Sequence, residues 1–118
     1  MNKRSVGTAY EQRAADYLKE LGYRILEHSF RCRTGEVDLV CWSPEGILVF
    51  AEVKYRRNAS KGTPAEAVTP AKQRTISRVA AFYLVRYRVD PRTQVRFDVI
   101  AFLGEEMTHY QNAFAYCP

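Results

Sequence analysis

Apolar side chains repeat at helical spacing near the start of the chain. Tyr10, Ala14, Tyr17, Leu18 and Leu21 fall at i, i+4, i+7, i+8 and i+11, which predicts a helix over Val6–Leu21 with one apolar stripe. Ser5 is placed to cap its start, and Gly22 to end it at the C′ position. The period then changes. Tyr23–Arg31 reads as a strand, and Glu36–Ser43 and Ile47–Lys54 read as two more, joined by Pro44-Glu45-Gly46. Proline suits the first turn position, and glycine suits the left-handed residue after a type I turn. The run from Ile47 to Val53 is apolar on both faces, as in a buried central strand. Tyr55–Pro64 has the composition of a flexible basic loop. Thr69-Pro70 then opens a second helix, with Thr as N-cap and Pro at N1. That helix is expected to reach about Arg88, with Ile76, Val79, Ala80, Tyr83, Leu84 and Tyr87 on one face and Asp90-Pro91 as the break. Val95–Leu103 and Thr108–Ala115 complete the pattern as strands. The order αβββαβ(β) describes an α/β protein with a mixed central sheet flanked by helices.

At 118 residues, 47% apolar and 13% aromatic, the sequence is expected to form one domain over 1–118 with a real core. No apolar run approaches the roughly 20 residues that span a bilayer. Met1–Gly7 has two basic residues with no apolar stretch behind them, unlike a secretory signal. The expectation is a cytoplasmic protein with no membrane partner. Cys32, Cys41 and Cys117 make no CxxC pair and an odd count, so they read as idle thiols in a reducing compartment. His28 and His109 are far apart and suggest neither a metal site nor histidine catalysis.

Charge sharpens the picture. The net charge is +5, and 13 of the 18 basic residues are arginine. Between Val53 and Phe97 there are 11 basic residues against Glu66 and Asp90 alone, so that segment carries +9 and the remainder −4. Arginine forks match phosphate oxygens, and a basic stripe is the footprint of a polyanion. A nucleic acid and a merely solvated basic surface both fit.

The residues with chemistry lie in the hairpin. If residues 44–46 are its loop, Ser43 pairs with Ile47, Asp38 lies opposite Glu52, and Glu36 opposite Lys54. Side chains two apart share a face, so Glu36, Asp38, Glu52 and Lys54 are expected to cluster. Two carboxylates ~4 Å apart repel by roughly 4 kcal/mol at an effective dielectric near 20, so a cation must offset them. Lys54 is one. A divalent metal is a second, and carboxylate oxygens favour Mg²⁺ or Mn²⁺ over zinc. On spacing alone, a metal site and a salt-bridge network on an open sheet face stand equal. A metal site there suits phosphodiester hydrolysis, in which the metal polarises a phosphoryl oxygen and activates water while Lys54 stabilises the developing charge. Glu11, at the edge of the first helix's stripe, is a further carboxylate or an ordinary flanking residue. Lys72 and Gln73, in the first turn of the second helix, reach a scissile phosphate or point to solvent. Arg31, Arg33, Arg56 and Arg57 flank the carboxylates as phosphate-gripping residues. Asp98, in Arg96-Phe97-Asp98, is assigned to pairing with an arginine.

The ordered set of Glu11, Gly35-Glu36-Val37-Asp38-Leu39-Val40 and Phe50-Ala51-Glu52-Val53-Lys54 resembles the YraN family of bacterial proteins, which is assigned to the PD-(D/E)xK endonuclease-like superfamily and is similar to archaeal Holliday junction resolvases. The likeness covers nearly the whole chain. It includes Gly7-Thr8-Ala9-Tyr10-Glu11, Phe30-Arg31-Cys32-Arg33, Lys72-Gln73 and Arg96-Phe97-Asp98. The resemblance implies a restriction-endonuclease-like core and a metal-dependent DNA endonuclease, acting on branched or flapped DNA. Asp38 and Glu52 would be metal ligands, the Val53 carbonyl a third, Lys54 the catalytic lysine and Glu11 the helix carboxylate. Val37 stands where the superfamily's name has Pro, and Tyr55 where Thr often follows the lysine.

Two readings of function remain open at this level: a Mg²⁺-dependent nuclease, and a non-catalytic nucleic-acid-binding module with a retained nuclease-like site. Phe82 and Val85 break the polar face of the second helix, either as idle exposure or as a contact that would make a homodimer.

Overall fold

The computed structural model describes residues 3–58, 60, 62–63 and 68–118, with the backbone alone for 3–7. Its order is α1 (Lys3–Glu20), β1 (Arg24–Cys32), β2 (Gly35–Trp42), β3 (Leu48–Arg56), α2 (Pro70–Arg86), β4 (Val95–Leu103) and β5 (Glu106–Phe114). The strands form one five-stranded sheet in the order β1-β2-β3-β4-β5. All neighbours are antiparallel except β3 and β4, which run parallel and are joined through α2. This mixed α/β architecture is compatible with a restriction-endonuclease-like core.

The alternation of β3 divides the core. Val49 and Ala51 face α1 and join Ala14, Ala15 and Leu18. Leu48 and Phe50 face α2 and join Ile76, Val79 and Tyr83. With a helix on each face, β3 is apolar on both sides from Leu48 to Ala51, and its charged residues begin only at Glu52. Thr69 caps α2 by accepting from the Lys72 N–H, with Pro70 behind it.

Three expectations are corrected. Helix α1 begins at Lys3, so Ser5 lies inside it and does not cap it. It ends at Glu20. Gly22, at φ +92°, turns the chain there, and the Tyr23 N–H reaches back to the Leu18 carbonyl, so Leu21 stays 48% exposed and leaves the stripe. Helix α2 ends at Arg86, before Asp90-Pro91. Arg88, at φ +51°, has already left the helical region. Of the basic loop after Tyr55, residues 55–56 extend β3, and residues 59, 61 and 64 lie outside the described ones. No described helix is long and apolar enough to cross a membrane.

Candidate active site

The hairpin register follows the prediction. Leu39 pairs with Ala51, Val40 with Phe50, Cys41 with Val49 and Trp42 with Leu48. The Ser43 N–H donates to the Ile47 carbonyl, and the Ile47 N–H donates to Ser43 Oγ, which closes the turn. The ladder stops at Leu39 and Ala51. Beyond that point β2 stays with β1 as far as Gly35, and β3 stays with β4 as far as Arg56. The sheet therefore forks, and Asp38 and Glu52 are the first residues of its two arms.

Their side chains take over the ladder's work. The Val53 N–H donates to Asp38 Oδ2 at 2.7 Å, and the Asp38 N–H donates to Glu52 Oε1 at 3.2 Å. Each carboxylate satisfies a backbone donor that the fork leaves unpaired. Glu52 is 2% exposed. Its Oε2 lies 3.8 Å from Lys54 Nζ and 3.6 Å from Lys72 Nζ, the latter reaching in from the first turn of α2. Burial and the nearby Asp38 carboxylate push the Glu52 carboxyl up to about 8, although both lysines pull it down.

Glu11 enters from the α1 side. The Tyr10 ring stacks on Tyr55 with centroids 4.2 Å apart and packs on Phe102, which seats the middle of α1 on the ends of β3 and β4. Burial, a hydrogen bond with Asp38 and the charges of Asp38, Glu52 and Glu36 push the Glu11 carboxyl up to about 8. Tyr55, where the resemblance expects Thr, thus serves as a platform for the helix that carries Glu11.

Glu36 does not pair with Lys54, because the β2–β3 ladder has ended before it. It bonds Arg31 across the β1–β2 pair at 2.9 Å. Arg31 therefore has a carboxylate partner already. Arg33 and Arg57 are exposed, and Arg56 is half-buried at the end of β3. Gln73 is tied locally, donating to the Val68 carbonyl at 3.1 Å. Val53 turns its side chain toward the α1-side core, so its main chain is what it offers the fork. Among the described residues, no three His, Cys, Asp or Glu side chains stand as a ready-made metal cage. The three cysteines are free, and burial pushes the Cys41 thiol up to about 12, far from a reactive thiolate.

Elsewhere in the sheet Asp98 pairs with Arg96, as the sequence suggested, through bonds of 2.9 and 3.0 Å. Sequence reasoning missed the rest of this buried network. His109 Nε2 is 2.7 Å from Asp98 and its Nδ1 is 2.9 Å from the Tyr17 hydroxyl, while Arg96 donates to the Tyr23 hydroxyl at 2.7 Å. The network ties α1 to β4 and β5.

The sequence matches the uncharacterised protein family UPF0102 over residues 10–102. The chain belongs to this family. Its UPF0102 relatives include one in Lachnoclostridium phytofermentans, 49% identical over 97% of this chain and 96% of the relative. One in Pelobacter propionicus is 47% identical over 96% and 84%. One in Symbiobacterium thermophilum is 50% identical over 82% and 80%. The UPF0102 match spans Glu11, Asp38, Glu52, Lys54 and Lys72, every side chain at the fork.

Proposed function

We propose that this UPF0102 protein is a divalent-metal-dependent nuclease that hydrolyses phosphodiester bonds in DNA. The observation that carries the reading is the pair Asp38 and Glu52 facing each other where β2 and β3 part, with Lys54 two residues further along β3. Glu52 is buried, and two lysines leave its carboxyl still pushed up to about 8, so the fork has room for more positive charge. The donors are hard oxygens and suit Mg²⁺ or Mn²⁺. Asp38, Glu52 and the Val53 carbonyl would hold the ion, which would supply Lewis-acid polarisation and a more acidic bound water.

The remaining steps belong to the chain. Lys54, half-buried beside Glu52, stabilises negative charge on the phosphoryl oxygens. Glu11, which reaches Asp38 from the α1 side, is the carboxylate placed to hold a water beside the ion. Arg56 and Arg57 at the end of β3 and Arg33 in the β1–β2 turn hold flanking phosphates without reading bases. Lys72 turns to a phosphate once another cation neutralises Glu52.

The test is a calorimetric titration of Mg²⁺ and Mn²⁺ into the protein and its Asp38→Ala variant, with cleavage of linear, flapped and four-way DNA. Saturable binding that the variant loses, with cutting abolished in Asp38→Ala and Lys54→Ala while DNA binding persists, is the expected result. Absence of metal binding would sink the reading. Two lysines already within 4 Å of Glu52 favour one alternative, a non-catalytic nucleic-acid-binding module whose Glu52 is neutralised by lysines alone.

A further inference from the structure

Helix α2 presents an unusual outer face. From Pro70 to Arg88 the chain contains Lys72, Arg74, Arg78, Arg86 and Arg88 and no acidic residue. Elsewhere Arg13, Arg31, Arg92 and Arg96 each pair with a carboxylate, whereas Arg24, Arg33, Arg56 and Arg57 make no ion pair among the described residues. Arg74, Arg78, Arg86 and Arg88 are exposed and make no ion pair among the described residues. Lys72 alone turns inward, to Glu52. Arg74, Arg78 and Arg86 line the outer face of the helix whose first turn sends Lys72 inward to the fork, and such a row of unpaired cations is the complement of a phosphodiester backbone.

Aromatic rings interrupt the far end of the stripe. Phe82 is 42% exposed, Val85 80% and Tyr87 46%. The rings are held rather than loose. Phe30 from β1 lies 6.3 Å from both Phe82 and Tyr87, Tyr83 lies 4.5 Å from Tyr87, and Arg86 covers the Tyr87 ring at 5.2 Å. Pre-ordered rings beside arginines form a stacking platform for unpaired bases, a use that paired bases inside a duplex cannot make of them.

We infer that α2 is the substrate track of the proposed nuclease, with Arg74 and Arg78 on duplex phosphates and the Phe82–Tyr87 end receiving an unpaired base. The inference rests on the nuclease reading and deepens it by assigning to the outer face of α2 the choice, among branched DNAs, of a duplex that meets a single strand. From Lys72 to Arg86 the helix rises about 21 Å. At 3.4 Å per step along one strand, this sets the boundary about six base pairs from the scissile phosphate.

Three measurements test it. With the metal chelated, fluorescence anisotropy compares a blunt duplex with the same duplex carrying a single-stranded arm. Arg74→Gln with Arg78→Gln is expected to weaken both about tenfold and to lower the salt slope by about two. Phe82→Ala is expected to erase an approximately tenfold preference for the armed probe and to leave blunt-duplex affinity unchanged. With Mg²⁺ or Mn²⁺, the cut is expected to move in step with the boundary when the boundary is moved. All these substitutions are at exposed positions, and thermal melts confirm folding.

Armed and blunt probes bound and cut alike by the arginine variants and wild type would overturn the track and leave the nuclease reading standing. Armed-probe binding that depends on α2, without cutting in either metal, would support the track and remove the nuclease reading. A dimer that Phe82→Ser and Val85→Ser dissolve would overturn the track by giving this face to a second copy.

Discussion

Asp38 and Glu52 each accept a hydrogen bond from the backbone of the other's strand, one step beyond the last pair of the β2–β3 ladder. The two carboxylates hold the strands together at the point where the strands part. They stabilise the fork through hydrogen bonds and destabilise it through like charge.

Glu52→Gln keeps an acceptor for the Asp38 N–H and removes the charge. The folded-state pKa of Glu52 is raised to about 8, so its contribution to stability is complete below the ordinary carboxylate range and is lost as pH rises through about 8. In chelator, the variant is therefore expected to match wild type near pH 4 and to exceed it by a margin that grows as pH rises from the ordinary carboxylate range to about 8. Urea unfolding at both pH values decides the matter. A constant difference would show that charge is not the cause.

Lys72→Met removes one of the two cations at Glu52 and leaves the α2 cap intact, since the cap uses only the Lys72 backbone. The Glu52 carboxyl is expected to titrate higher still. Carboxyl-resolved NMR titration would record the shift, and an unmoved or lower value would show that the lysine does not act on Glu52.

The Asp98 network is a separate test of buried charge. Burial alone would raise the Asp98 carboxyl, but bonds from His109, Arg96 and the Asn112 N–H hold it below the ordinary carboxylate range. Its stabilisation is present above the unfolded-state pKa and lost as pH falls through the lower folded-state value. Asp98→Ala strands Arg96 and is expected to cost roughly 3–5 kcal/mol at pH 7, a deficit that shrinks in acid. Chemical denaturation across that range would reveal a flat deficit if the network were only a packing element.

Gly35 has φ +147°, and a Cβ there would lie 2.5 Å from the Thr75 methyl. The Thr75 hydroxyl donates to the Ala71 carbonyl, which fixes that methyl against the β1–β2 turn. Gly35→Ala should cost about 1–3 kcal/mol. Adding Thr75→Ser should restore the steric part and leave the backbone part, giving a coupling that a double-mutant cycle can measure.

The sequence was most informative where local geometry set the outcome. Pro44-Glu45-Gly46 fixed the hairpin register, and the register brought Asp38 opposite Glu52. Strand β4 has the bounds its pattern predicted, and Thr69-Pro70 caps α2. Misreadings began where tertiary pairing decided. Glu36 belongs with Arg31 because β2 changes partner at the fork, which no periodicity records. His109 meets Asp98 across a β4–β5 pair whose register shifts between Phe97 and Val99, so residue counting could not align them. Lys72 finds Glu52 only because α2 crosses the sheet.

The parallel pair has a consequence for the chain during synthesis. Strand β3 matches β4 at nine successive positions, yet 38 residues separate Arg56 from Val95. Until β4 has been made, a nascent chain carries the β1–β2–β3 meander with the outer edge of its most apolar strand unpaired. Such an edge is a template for pairing with other chains. Near its exposed end that edge carries Lys54, Arg56 and Arg57, charges that keep nascent copies apart until β4 closes the sheet.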